Sequence, residues 1–100
     1  MPDTTVRTTV TIQNPQGLHM RPAYMFAETA AQFASRIEVA KDSVRIDGKS
    51  VLSILTLGAT QGSDVSIEAI GDDAQEAVDT LSGLVTSGFV APDIGVGDTD

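Results

Sequence analysis

Four short segments in which apolar and polar residues alternate do most to limit what this 100-residue chain can fold into. Alternation with a period of two is typical of strands that bury one face and expose the other. The segments are residues 5–12, 36–40, 44–46 and 64–70. In the first of them, Val6, Val10 and Ile12 are the candidates for the buried face. We therefore predict a sheet of four strands.

Three further segments carry apolar residues at the spacing of one helix face. The first is residues 20–31. The second is the short apolar run 51–57, with Ser50 at its N-cap position, and the third begins at residues 72–73 and ends near Gly88. The resulting order is βαββαβα. It predicts an α+β open-faced β-sandwich, in which three helices lie on one face of a four-stranded antiparallel sheet.

The composition excludes several classes of function. A net charge of −8, from 6 basic and 14 acidic residues, argues against nucleic acid and anionic membranes as partners. The chain has no cysteine, which excludes disulfides and thiolate chemistry. It has no apolar run long enough to span a membrane and no signal-peptide pattern, so we expect no membrane insertion and a cytoplasmic location.

His19, the single histidine, falls between a predicted turn at residues 14–17 and the first predicted helix. The first N–H groups of a helix have no partner inside it and carry partial positive charge, so such an end binds phosphate readily. Arg21 can add several donors for phosphate oxygens. A histidine and an arginine at a helix start are also common as a plain cap and a solvated charge. The residues alone thus support a phosphate site as a hypothesis.

The neighbours of His19 suit a helix that begins beside a bound anion. Pro22 fits the first turn, because its missing N–H would be unpaired there in any case. The predicted phosphate-binding helix start consists of Gly17, Met20, Pro22 and Ala23. We find no metal-ligand set and no glycine-rich cofactor loop, so we predict neither a metal nor a cofactor.

Residues 17–23, GLHMRPA, resemble the active-site signature of the histidine-containing phosphocarrier protein HPr family of the bacterial phosphoenolpyruvate-dependent phosphotransferase system. Residues 49–58 resemble its regulatory-serine region, and residues 60–62 match the turn after it. The resemblance runs from about residue 5 to 88. It implies a phosphocarrier domain at residues 1–89. The composition of the remaining residues 90–100, rather than the resemblance, predicts an acidic, disordered tail.

The resemblance also implies a role for each site residue. His19 would be phosphorylated on Nδ1 by enzyme I, which takes the group from phosphoenolpyruvate. Arg21 would contact the phosphoryl group, which would then pass to an enzyme IIA domain for sugar uptake or regulation. The protein would be a carrier rather than an enzyme.

Ser50 occupies the place of the serine that a dedicated kinase, the HPr serine kinase/phosphorylase, modifies in some relatives. A phosphate at a helix N-cap would be stabilised by the helix end and could alter docking beside it. An ordinary capping serine explains the residue as well.

The second predicted helix has more apolar residues than one face can bury. We expect Ile54 and Leu57 in the core and the others in a docking surface for enzyme I and IIA domains. The predicted docking residues are Val51, Leu52, Leu55, Met20 and Tyr24. Met20 and Tyr24 depart from the residues usual in the family, which suggests an altered choice of partner.

Two functions remain open at this point. The first is phosphoryl relay between proteins. The alternative is an HPr-like regulatory module of the nitrogen or catabolite-control type, whose phosphorylation at His19 or Ser50 signals to a kinase or transcription regulator. An enzyme with His19 as general base lacks a second catalytic group. We expect a monomer, because a carrier presents one face to successive partners.

Overall fold

A four-stranded antiparallel sheet forms one layer of the structure, and helices cover one of its faces. The computed structural model describes residues 4–90. The elements in chain order are β1 (Thr5–Thr11), α1 (Met20–Ala30), β2 (Arg36–Lys41), β3 (Val44–Asp47), α2 (Val51–Thr56), β4 (Asp64–Ile70) and α3 (Ala74–Thr86). The predicted order and the open-faced sandwich are confirmed.

The strands lie side by side in the order β1-β4-β2-β3. The strand β4 therefore lies between β1 and β2, although it is the last strand in the sequence. It pairs antiparallel with β1, where Val10 faces Val65, and with β2, where Val39 faces Ile67. Val65, Ile67 and Val39 are buried, whereas residues between them are more exposed. The alternation in the sequence therefore marks the face that packs against the helices.

Several boundaries differ by a residue from the predicted ones. β1 ends at Thr11, yet Ile12 is buried as predicted, and its N–H donates to the carbonyl of Ser63 at 2.9 Å. α1 ends at Ala30, with Ala31 as its C-cap. α2 ends at Thr56, because Leu57 serves as its C-cap. Val6 is only partly buried, since it lies toward the start of the edge strand.

Asp73 fixes the start of α3 to the loop between α1 and β2. It is the N-cap of α3, but its carboxylate accepts hydrogen bonds from the N–H groups of Ala34 and Ser35 and from the Ser35 hydroxyl. The hydroxyl of Ser35, followed by the N–H of Ala34, lowers the pKa of Asp73. Ser35 is buried, and these hydrogen bonds connect the loop after α1 to the start of α3.

Two further predictions concern membrane insertion and the C-terminal tail. No helix within residues 4–90 is long and apolar enough to cross a membrane. Of the predicted tail, Val90 is exposed and residues 91–100 lie outside the described residues.

Candidate functional site

His19 is the N-cap residue of α1, with extended backbone angles of φ −82° and ψ −170°. Its side chain is exposed and makes no capping hydrogen bond. Although the residue stands at the cap position, the imidazole does not serve as a cap. Its ring is therefore accessible to a reactant or a partner from solvent.

Unpaired backbone donors lie directly after His19. Within residues 4–90, the N–H groups of Met20 and Arg21 have no backbone acceptor, and Pro22 has no N–H to satisfy. The eleven-residue helix has no acidic residue in its first turn that would cancel the positive potential of this end. The helix start can thus stabilise an anion carried by the imidazole.

Arg21 is exposed and stands one residue beyond Met20. The ion pairs in the described part of the chain involve Arg36, Lys41 and Arg45, and Arg21 takes part in none of them. Its guanidinium group is therefore available to an external anion, and its fork of donors matches phosphate oxygens.

Pro22 and Ala23 contribute differently from the other predicted helix-start residues. Both side chains are buried, and the N–H of Ala23 already donates to the carbonyl of His19 at 3.0 Å. Ala23 therefore supports the first helical turn, and its N–H is already paired in this structure.

Gly17 and Leu18 fix the approach to His19. Gly17 has φ +69°, and a Cβ there would lie 2.3 Å from the carbonyl oxygen of Ala59 and 2.9 Å from the Cα of Thr60. The N–H of Leu18 donates to the same Ala59 oxygen at 3.0 Å, and the Leu18 side chain is buried. Only glycine permits this close approach, so the connection between α2 and β4 determines where the chain enters α1.

Exposed apolar side chains lie on the two helices next to the site. Met20 is 59% exposed, Tyr24 54% and Leu52 74%. Val51 and Leu55, by contrast, are partly buried and pack against the core. The prediction that Ile54 and Leu57 are core residues is confirmed. Exposed area in the predicted docking surface is thus concentrated in Met20, Tyr24 and Leu52.

Ser50 caps α2. Its hydroxyl oxygen accepts a hydrogen bond from the N–H of Ser53 at 3.2 Å, so the capping interpretation of this residue holds. Ser50 is partly exposed, and its hydroxyl lies at the start of the helix that carries Leu52.

One contact at the site has no signal in the local sequence. The side chain of Asn14 donates to the carbonyl of Gly88 across 74 residues. Asn14 is interpretable from the sequence only as part of the turn at residues 14–17.

No group of three or more His, Asp or Glu side chains in residues 4–90 is placed so that it could hold a metal ion.

Comparison with known proteins relates this arrangement to one family. The profile of PTS-HPr, described as "PTS HPr component phosphorylation site", matches residues 6–87. The phosphocarrier protein HPr of Neisseria meningitidis is 34% identical over 84 residues, which is 84% of this chain and 94% of that protein. The HPr-like protein Crh of Bacillus subtilis is 32% identical over 80 residues, or 80% and 94% of the two chains.

The solved structures agree with the sequence comparison. The crystal structure of an HPr from Thermoanaerobacter tengcongensis superposes with a TM-score of 0.81 at 43% identity. The superposition covers 84% of this chain and 94% of that one. The residues matched by the family, 6–87, include all but the first residue of the sheet, all three helices and the start of α1.

Proposed function

The chain belongs to the HPr family of phosphocarrier proteins, and from that membership we propose that His19 accepts a phosphoryl group and passes it on. The donor is enzyme I of the phosphotransferase system, charged by phosphoenolpyruvate, and the acceptor is an enzyme IIA domain. The observation that carries the proposal is the exposed imidazole at the start of α1, next to unpaired N–H groups and Arg21.

The chemistry requires a nucleophile that is also a good leaving group. A neutral imidazole nitrogen, Nδ1 in this proposal, attacks phosphorus; the N–P bond forms as the bond to the donor breaks. The helix end and Arg21 then stabilise the charge on the phosphoryl oxygens. A helix end contributes on the order of 0.3–2 kcal/mol to such a charge, which is too little to trap the group. The helix end and Arg21 therefore also allow the N–P bond to break when the phosphoryl group passes to the next protein.

Successive partners need a common surface beside His19. Met20, Tyr24 and Leu52 provide exposed apolar area there, and we propose that enzyme I and IIA domains bind to it in turn. A monomer in the cytoplasm suits this exchange, because one face must be open to two proteins. Size-exclusion chromatography with light scattering tests the monomer.

The experiment combines the protein with phosphoenolpyruvate, Mg²⁺ and enzyme I from the same host. We expect a phosphate that is labile in acid and stable in base, which is the behaviour of a phosphohistidine. His19→Ala should not be labelled. Equal labelling of His19→Ala and wild type would refute His19 as the acceptor.

A regulatory role is the second candidate, and Ser50 is the observation that favours it. Its hydroxyl caps α2 beside Leu52, so a phosphate there would change the charge of the proposed docking surface. Incubation with ATP and an HPr serine kinase/phosphorylase should label wild type and not Ser50→Ala. Labelling that is unaffected by Ser50→Ala would remove Ser50 from this role.

A further inference from the structure

The side chain of Asn14 joins two distant parts of the chain at this site. Its Nδ2 donates to the carbonyl of Gly88 at 3.0 Å, while the backbone carbonyl of Asn14 accepts the N–H of Gly17 at 2.9 Å. Gly88 lies in the turn that follows α3. The hydrogen bond therefore connects the end of α3 to the turn that leads into His19.

The other end of this amide is unsatisfied. The Oδ1 atom of Asn14 is buried and has no hydrogen-bond partner within residues 4–90. Turning the amide over would place Oδ1 against the carbonyl of Gly88, so the contact with Gly88 fixes its orientation. An apolar side chain of similar size would remove this unpaired oxygen, but it would also leave the carbonyl of Gly88 without the Asn14 donor. The two effects on the free energy of unfolding oppose each other.

We infer that Asn14 is a positioning residue for phosphoryl transfer, which holds the turn before His19 in place against the end of α3. The inference rests on the proposed function of His19. Gly17 and Leu18 fix the turn from the side of Ala59. Asn14 makes the single hydrogen bond between residues 13–19 and residues 74–90 of the described chain. A reacting nitrogen must be placed to within a fraction of an ångström, so losing the attachment to the end of α3 slows the reaction.

Asn14→Leu tests this inference, because it removes the donor and the unpaired oxygen together at similar size. We expect the melting temperature to stay within a few degrees of wild type. The kcat for phosphorylation by enzyme I should fall about tenfold, with KM unchanged. Gln13→Ala is the matched control: Gln13 is exposed and directly precedes this turn, and within residues 4–90 its side chain donates only to the nearby carbonyl of Thr11. That variant should behave as wild type.

Three outcomes would overturn the inference. An unchanged kcat in Asn14→Leu would show that the contact with Gly88 does not position His19. A raised KM with unchanged kcat would place the effect in docking, and a large loss of stability would make Asn14 a structural residue. If wild type itself is not labelled, the proposed function fails. Amide hydrogen exchange at Leu18 and His19 then decides the positional claim, which unchanged exchange in Asn14→Leu would refute.

Discussion

Replacing Gly17 by alanine tests whether its close approach to Ala59 fixes the entry into α1. The new Cβ would lie 2.3 Å from the Ala59 carbonyl oxygen, whereas ordinary contacts begin near 3.4 Å. One of the two backbones must therefore move by about 1 Å. The hydrogen bond from the N–H of Leu18 to the same oxygen is 3.0 Å long and cannot survive that movement unchanged.

The magnitude follows from two contributions. A non-glycine residue in the left-handed region, here φ +69°, costs about 1–2 kcal/mol. The loss of the Leu18 hydrogen bond adds about 0.5–1.5 kcal/mol. We expect Gly17→Ala to lower the free energy of unfolding by about 2–4 kcal/mol once the contact with Thr60 is included, and the melting temperature by about 10–25 °C.

Gly58→Ala is the matched control for this prediction. Gly58 has φ +62°, but no atom lies within 4 Å of a Cβ built there. This variant therefore carries only the left-handed penalty of about 1–2 kcal/mol. Thermal unfolding by circular dichroism measures both variants, and phosphorylation by enzyme I reports on His19. Equal melting temperatures for the two variants would show that the approach to Ala59 does not matter.

Three further predictions concern charge and exposed surface. Arg21→Ala should slow phosphorylation by enzyme I about tenfold, because donors to the phosphoryl oxygens are lost. The melting temperature should not change, because the side chain is exposed and outside the ion pairs of residues 4–90. Unfolding of the variant would mean that Arg21 is structural. Leu52→Asp should weaken the binding of enzyme I several-fold and leave the fold intact, and titration calorimetry measures that affinity directly. Unchanged affinity would exclude Leu52 from the docking surface. Because folding lowers the pKa of Asp73, ionised Asp73 stabilises the fold at pH values above 3.8, the ordinary pKa of an aspartate. This contribution is lost as the pH falls through the lowered pKa of the folded state. The advantage of wild type over Asp73→Asn in melting temperature should therefore shrink below about pH 4, and a constant difference across that range would contradict the assignment.

The sequence predicts what depends on neighbouring residues and little of what depends on distant ones. Alternation in β4 identifies Val65 and Ile67 as buried, because strand geometry alone sends every second side chain to one face. The same alternation does not say which strands are neighbours, so the central place of β4 needed the structure.

The site shows the same division. His19 and the helix start are predictable, since turn residues, histidine and a first-turn proline are adjacent in the chain. The contact of Gly17 with Ala59 and the hydrogen bond of Asn14 to Gly88 join segments that no local pattern relates. Both contacts involve the segment that leads into His19, and local sequence patterns predict neither of them.

The strand order affects how late in synthesis the region around His19 can complete its contacts. Within residues 4–90, β1 pairs only with β4, so it has no described partner in the sheet until the ribosome has made residues 64–70. The turn before His19 waits longer still, because Gly88 must emerge before Asn14 can bond to it. A long chain closure of this kind comes late in folding. Under the proposed function, a growing chain would thus reach its full rate of phosphorylation only after nearly the whole domain has been made and folded.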